Sequence, residues 1–403
     1  MKSRFWAALG VVVAAFAVVA AFLAGCKNFW DLPASTGTTG TTPTTLSSGV
    51  FYVLNQTTKQ IAGYAISSGT LESITGSPYA LSAEPTSIAV APGGEFLFVG
   101  TTNGIYLYTV GSGGALTLEN SGSPISTDIP AAMVVSGSWL VDAFTNLNGS
   151  VQMDAIPINS STGANTGSGA PPFQTFNVAS ASVLQMALSP DSANLFVALD
   201  AGGTIVVPFA TGNSNPLSAT ATIIPVANSG GHALSVAVDP NTTPRVFYIG
   251  ETLANATANS GGLRVFNYSS LGSGTLTQAT GSPIASGGLA PNAILPIAGG
   301  NYVYVANGTG TTSAGSINWF PITSSGTTYA ISSGSSIASG IYPSGLAEDS
   351  KDNFVLAVAT GGSTTSGDPD LDAYTMSSGA LTSAIQSETG TDPVTAIAIA
   401  PLP

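Results

Sequence analysis

The stretch Pro85 to Thr101, PTSIAVAPGGEFLFVGT, constrains this chain most, because copies of it recur along the sequence. It reads as a short apolar strand, a Pro-Gly-Gly turn, and a second strand carrying alternating aromatic residues. The second strand is legible seven times, in Phe51-Tyr52-Val53-Leu54, Phe96-Leu97-Phe98-Val99, Trp139-Leu140-Val141-Asp142, Leu195-Phe196-Val197-Ala198, Val246-Phe247-Tyr248-Ile249, Tyr302-Val303-Tyr304-Val305 and Phe354-Val355-Leu356-Ala357. The copies start 43 to 56 residues apart, the length of a four-stranded blade.

Each copy is followed by a third strand with period-2 alternation, such as Ile105-Tyr106-Leu107-Tyr108 or Ile317-Asn318-Trp319-Phe320. A weaker outer strand such as Leu116-Thr117-Leu118 comes next, often ending at Gly-Ser-Pro, as at Gly76, Gly122 and Gly281. A short strand of small and β-branched residues closes the unit, as in Ile88-Ala89-Val90 and Ala396-Ile397-Ala398-Ile399, and suits a crowded central axis. The expected fold is all-β, a seven-bladed β-propeller with four-stranded blades over residues 50–403. The first copy begins at a blade's second strand and the chain ends on an innermost one. Pairing residues 393–400 with Phe51 to Leu54 would close the ring and leave no sheet edge exposed.

Composition fits this reading. Charged residues are only 7%, so long charged helices are disfavoured. The formal net charge is −13. Without Lys2 and Arg4 the remainder holds five basic against 20 acidic residues, a net of −15. That excludes a nucleic-acid partner, which needs clustered Lys and Arg, and disfavours highly phosphorylated substrates.

Cys26 is the sole cysteine, so neither a disulfide framework nor a thiolate metal site is available. A basic Met1 to Arg4, an apolar run from Phe5 to Phe22, and Leu23-Ala24-Gly25-Cys26 precede the tether. This arrangement resembles a bacterial lipoprotein signal peptide over 1–25, cut before a cysteine that becomes lipidated. The alternative is an uncleaved anchor, since the run is just long enough to span a bilayer. Residues 26–49 read as the lipidated Cys26 and a flexible Thr/Ser/Gly tether. The expected location is the cell envelope, lipid-anchored outside the cytoplasm. Lys27 stands where an inner-membrane retention signal would place Asp, which points to the outer membrane.

Tyr304-Val305-Ala306-Asn307 and Tyr52-Val53-Leu54-Asn55 resemble YVTN repeats. Over residues 50 to 401 the chain is similar to the lactonase family of seven-bladed β-propellers, 6-phosphogluconolactonase-like proteins among them. That resemblance implies a lactone hydrolase with histidines, arginines and a glutamate around the axis. Here Ser182 and Leu184 fill the two histidine slots of the family's His-Pro-His motif. Leu234 fills an arginine slot in His232-Ala233-Leu234-Ser235, and Asn307-Gly308-Thr309-Gly310 replaces an Asn-Arg-Gly-His. Asp200-Ala201-Gly202 partly keeps an Asp-Leu-Gly, Ser316-Ile317 is retained, and Glu251 stands where the family's acid is expected.

The candidate catalytic residues are therefore His232, Glu251 and Asp200. His232 is the only histidine, able to act as a general base near neutral pH, with the two carboxylates as neighbours across a pocket rim. Carboxylates at loop starts also cap turns, the plain reading of both. Further binding-face candidates are Glu84, in the slot His232 occupies three blades later, and Asp368 and Asp370. The run Asp368 to Asp372 lacks the glycine and final glutamate of an EF-hand loop. No metal site and no cofactor is expected. The leading functional reading is a binding or scaffold module facing a small molecule, glycan or protein. A lactone or ester hydrolase with an axial pocket is the alternative, and a structural surface protein a third.

Overall fold

The computed structural model describes residues 48–400, apart from short segments at 68–69, 242–243, 257–259, 269–274, 298–300, 310–312, 326–327, 333, 350–352, 362–369 and 388–393. Cys26, the signal-like segment, the tether and Asp368 lie outside the described residues. The chain from Leu46 to Pro403 is one compact unit. Among the described residues it is built of strands and one short 3-10 turn, Asn120–Gly122, and no helix is long and apolar enough to cross a membrane.

Blade 1 holds Ser48–Asn55, Gln60–Ser67 and Thr70–Ser73, with Val394–Ala400 as its innermost strand. That last strand pairs antiparallel with the first, Phe51 opposite Ile399 and Val53 opposite Ile397, so the two ends of the unit share one sheet. Blade 2 is Pro85–Val90, Phe96–Thr101, Gly104–Val110 and Leu116–Leu118, from axis to rim. Blade 3 is Ala132–Ser136, Trp139–Thr145, Val151–Pro157 and Phe173–Phe176. Blade 4 runs Gln185–Leu188, Asn194–Ala198, Thr204–Pro208 and Thr222–Ile224. Blade 5 has Ala233–Val238, Val246–Glu251, Gly262–Tyr268 and Leu276–Gln278.

The last two blades share one sheet, which departs from the sequence reading of seven separate ones. Blade 6 begins with Ala290–Pro296, Tyr302–Gly308 and Ala314–Ser325. Its outer strand and the innermost strand of blade 7 are a single 14-residue strand, Ser335–Glu348. The first half pairs with Ala314–Ser325; the second, from Ile341 on and with a register shift at Pro343/Gly345, pairs with Phe354–Gly361 of blade 7. Leu371–Ser377 and Ala380–Ser387 complete that blade. Each of the seven repeat copies lies in a second strand.

The repeat pattern is explained by where consecutive residues of that strand go. A blade is buried on both faces, so its strands carry near-continuous apolar runs instead of apolar/polar alternation. Phe51 and Val53 pack with Leu356, Val358 and Leu371 of blade 7, while Tyr52 and Leu54 pack with Leu97, Val99 and Tyr106 of blade 2. The same division repeats around the ring. Phe98 faces Leu140 of blade 3, Val141 faces Leu195 and Val197, and Phe196 faces Phe247 and Ile249. Tyr248 then faces Val303 and Val305, and Tyr304 faces Val355 and Tyr374. Seven clusters, one per blade interface, form the core among the described residues.

Polar contacts fix the spacing of the wedges. The Tyr52 hydroxyl donates to Gly114 O at 2.6 Å and the Tyr304 hydroxyl to Gly379 O at 2.8 Å. Each acceptor sits in the third-to-outer turn of the next blade, with φ of +84° and +81°, a conformation glycine adopts without strain. Nearer the axis, Ser87 Oγ donates to Pro130 O and Ser235 Oγ to Pro291 O at 2.6 Å, tying successive innermost strands. Two of the Gly-Ser-Pro turns contain cis prolines, Pro78 and Pro283. In both, the serine hydroxyl accepts a third-strand N–H, from Gly63 at 2.9 Å and Val265 at 2.8 Å.

Candidate functional site

One face of the ring carries the starts of the innermost strands and the turns between second and third strands. All the described candidate residues belong to those segments. At its centre is an axial cavity of about 290 Å³, lined from six innermost strands or the residue before them. Its wall contains Thr86, Gln185, Asn292 and Ser344 beside Leu184 and Leu234, and among the described residues none that lines it is ionisable. Both leucines fall at positions where the sequence resemblance implies a histidine and an arginine. Gln185 is not free to swing, because its Oε1 accepts Val236 N–H at 3.0 Å.

The structure brings Asp200 and His232 together. Asp200 lies in the turn after the second strand of blade 4, in a left-handed conformation (φ +54°). Two backbone bonds join it to the next blade: Asp200 N–H to Ala233 O at 3.1 Å, and Ala233 N–H to Asp200 O at 2.9 Å. This bridge sets Asp200 Oδ1 2.7 Å from His232 Nδ1, although the two residues are 32 apart in sequence. Thr252 fixes the histidine backbone from the other side: its Oγ1 accepts His232 N–H at 3.0 Å, and its own N–H donates to His232 O at 3.0 Å. The two side chains are 44% and 34% exposed, so as an ion pair they add little stability. As chemistry the pair is more telling. A carboxylate accepting Nδ1–H fixes the tautomer and leaves Nε2 to take a proton from water or substrate.

Glu251 does not join that pair. It is 1% exposed, and both carboxylate oxygens are engaged elsewhere: Oε1 with Arg264 Nη1 at 2.7 Å and Oε2 with Ala227 N–H at 3.0 Å. Arg264 also donates to Pro225 O and Gln278 Oε1, each at 2.8 Å, and lies over the Phe266 ring. Burial pushes the Glu251 carboxyl above its ordinary range, against the pull of Arg264 and the Ala227 N–H. The buried pair therefore pins residues 225–227, the approach to His232, onto blade 5. Sequence spacing did not connect Arg264 with Glu251, because their contact depends on the strand register Glu251–Gly262.

Glu84 is exposed on the same face in blade 2. Its carbonyl accepts Thr102 N–H at 2.9 Å, as that of His232 accepts Thr252, so the two residues occupy equivalent positions. Asp370 is buried at the start of the third strand of blade 7, 1% exposed, and offers no open surface. Asp372 is buried beside it and accepts the Tyr374 hydroxyl at 3.0 Å.

No protein-family model matches the chain, and no curated relative matches it. Solved structures do. A periplasmic gluconolactonase from Pseudomonas aeruginosa superposes with a TM-score of 0.67 at 20% identity, covering 89% of this chain and 100% of that one. A candidate 6-phosphogluconolactonase from Bacteroides uniformis gives 0.64 at 17% identity, over 87% and 99% of the two chains. Its counterpart from Bacteroides fragilis gives 0.63 at 14%, over 89% and 99%. At these identities the likeness is one of architecture, and the chain has the fold of the lactonase-like β-propellers.

Proposed function

We propose that this chain is an extracytoplasmic β-propeller that binds an uncharged small molecule of sugar or lactone size in its axial cavity. The observation that carries the reading is the cavity wall: it mixes polar and apolar side chains, and none of its described lining residues is charged. At about 290 Å³ it falls just below the ~300–1,000 Å³ typical of small-molecule sites, room for a small ligand. A phosphorylated ligand would need cations that the described wall residues do not supply, in a chain of net charge −13. Lipidation at Cys26 and the tether of residues 26–49 would hold the propeller at the membrane, outside the cytoplasm, with the outer membrane as its expected site. The periplasmic gluconolactonase of the same fold supports that compartment.

The test is calorimetric titration of the full chain in detergent with neutral sugars and lactones. Binding should be saturable and should be lost in Leu184→Trp and Leu234→Trp, which fill the cavity. Affinity unchanged in both variants would sink the reading.

A second reading is favoured by the Asp200–His232 pair: hydrolysis of a lactone or ester, with His232 Nε2 as general base for water and Asp200 holding the ring. A lactone panel separates the two. Turnover that His232→Ala abolishes and Asp200→Asn reduces establishes the hydrolase. Binding without turnover leaves the binding module.

A further inference from the structure

We propose that Asp128, Asp142 and Asp154 form a Ca2+ site between blades 2 and 3, separate from the axial cavity. The clue begins in the repeat. The fourth position of its second strand holds Leu54, Val99, Ala198, Ile249, Val305 and Ala357 in six blades, and Asp142 in the remaining one. Asp142 is interior like its six counterparts, and by strand alternation it lies on the blade 2 side of its strand. Its strand neighbour Leu140 packs into the blade 2–3 core, and Asp142 is 0% exposed. Neither of its carboxylate oxygens has a hydrogen-bond partner of good geometry, and the one group that stabilises its charge is the Asp154 backbone N–H. An ionised carboxylate in such a place is costly unless something else compensates it.

What lies next to it is more negative charge. Asp154 is its cross-strand partner in register, and is 3% exposed. Gln152 Nε2 donates to both Asp154 oxygens, at 2.9 and 3.1 Å. Asp128, half-buried, comes from the loop that leads into the innermost strand of blade 3; its carboxylate accepts the Ser126 hydroxyl. One oxygen from each of the three carboxylates lies within 4.8 Å of the others. The chain's described basic groups are elsewhere: Arg245 with Asp191, Arg264 with Glu251, His232 with Asp200, and Lys59 in a turn of blade 1. Without a cation, burial and the neighbouring carboxylates push Asp142 well above the usual carboxylate range.

The donor set selects the ion. Three carboxylates with no nitrogen or sulfur ligand call for a hard cation. Ca2+ binds oxygens at about 2.3–2.6 Å, so ligand atoms up to roughly twice that distance apart can share it, whereas Mg2+ demands a tighter octahedron. Asp128, the member with solvent access, gives the ion its way in. Binding there would clamp the loop through Asp128 onto the second and third strands of blade 3. Ala131, three residues further on, lines the axial cavity.

The experiment is Ca2+ titration of the full chain in detergent after chelator treatment, by calorimetry and by thermal unfolding. Uptake of one ion per chain is expected, at a dissociation constant of about 10⁻³ M or tighter, the range of extracellular modules. At a free concentration 100 times that constant, the folded/unfolded ratio should rise about 100-fold. Asp142→Asn should abolish uptake and leave the metal-free protein no less stable than wild type, since a buried charge is removed. Asp128→Asn, in the half-buried loop, should weaken binding at least about tenfold for the loss of one charged ligand. Wild-type protein that takes up no Ca2+, as when protons alone neutralise the cluster, overturns the proposal. So does uptake that survives both substitutions.

Discussion

Glu251→Gln tests whether this residue serves chemistry or structure. The substitution keeps the side-chain shape and removes the charge that faces Arg264. The guanidinium, whose side chain is 8% exposed, would keep Pro225 O and Gln278 Oε1 and lose its only ionic partner among the described residues. Breaking a buried pair from one side costs about 3–5 kcal/mol, because the charge that remains is still buried. Arg264→Met should cost a similar amount, leaving Glu251 without its cation and the two other acceptors without a donor. The double variant Glu251→Gln/Arg264→Met removes both charges, so its loss should fall short of the sum by about 2–3 kcal/mol. Equilibrium urea unfolding of the full chain and its variants reads these values directly. Because the pair holds residues 225–227, ligand affinity should fall in Glu251→Gln and return in part in the double variant. A Glu251→Gln protein with stability within about 0.5 kcal/mol of wild type, the range of ordinary surface changes, would refute the structural assignment. If turnover then vanished, Glu251 would return to the catalytic list.

Two further outcomes follow from the core and from a buried carboxyl. Phe247 is 0% exposed at the blade 4–5 interface, 4.5 Å from the Phe196 ring and 5.1 Å from Phe266; Phe247→Ala should cost about 3–5 kcal/mol in chemical denaturation, and a loss below about 1 kcal/mol would contradict tight packing there. Asp239 has its carboxyl raised by burial, only partly offset by the Asn241 N–H and amide at 2.9 and 2.8 Å. The folded state therefore holds that proton to higher pH than the unfolded chain does. This contribution to stability is full below the unfolded value of about 3.9 and is lost as pH rises through the raised value. Asp239→Asn should lack that fall, and a stability–pH curve parallel to wild type between pH 4 and 7 would contradict the assignment.

The fold was legible because one physical requirement writes itself seven times. A blade buried on both faces needs consecutive apolar residues on its second strand, and Phe51-Tyr52-Val53-Leu54 meets that need by sending alternate side chains to opposite neighbours. The phase of the repeat also carried closure, since a chain that starts on a second strand can use its final strand to complete the same blade. What the repeat could not carry is register between different strands and blades. Glu251 meets Arg264 only because residue 251 pairs with residue 262. Asp200 reaches His232 only through a two-bond bridge between neighbouring blades. The fused strand Ser335–Glu348 was hidden for the same reason, because its two halves belong to different blades.

Asp142 is the instructive case between these extremes. Its departure from the repeat was visible at once: a carboxylate in a position that six sister strands fill with aliphatic groups. Reading the seven copies for what they share treats that residue as noise in an otherwise apolar run. Reading them for what each position must face gives it meaning, because a position fixed by six siblings as interior cannot present a charge to water. Either the charge is neutralised where it stands or the strand must shift, and Trp139 to Ala143 keeps unbroken register with both neighbours. In a repeat protein, then, the copies that agree determine the architecture, and the single position that breaks rank inside the agreed core is where a ligand should be sought. Asp154 and Asp128, at that spot and with no basic residue beside them among the described ones, turn the exception into a cation site that titration can test.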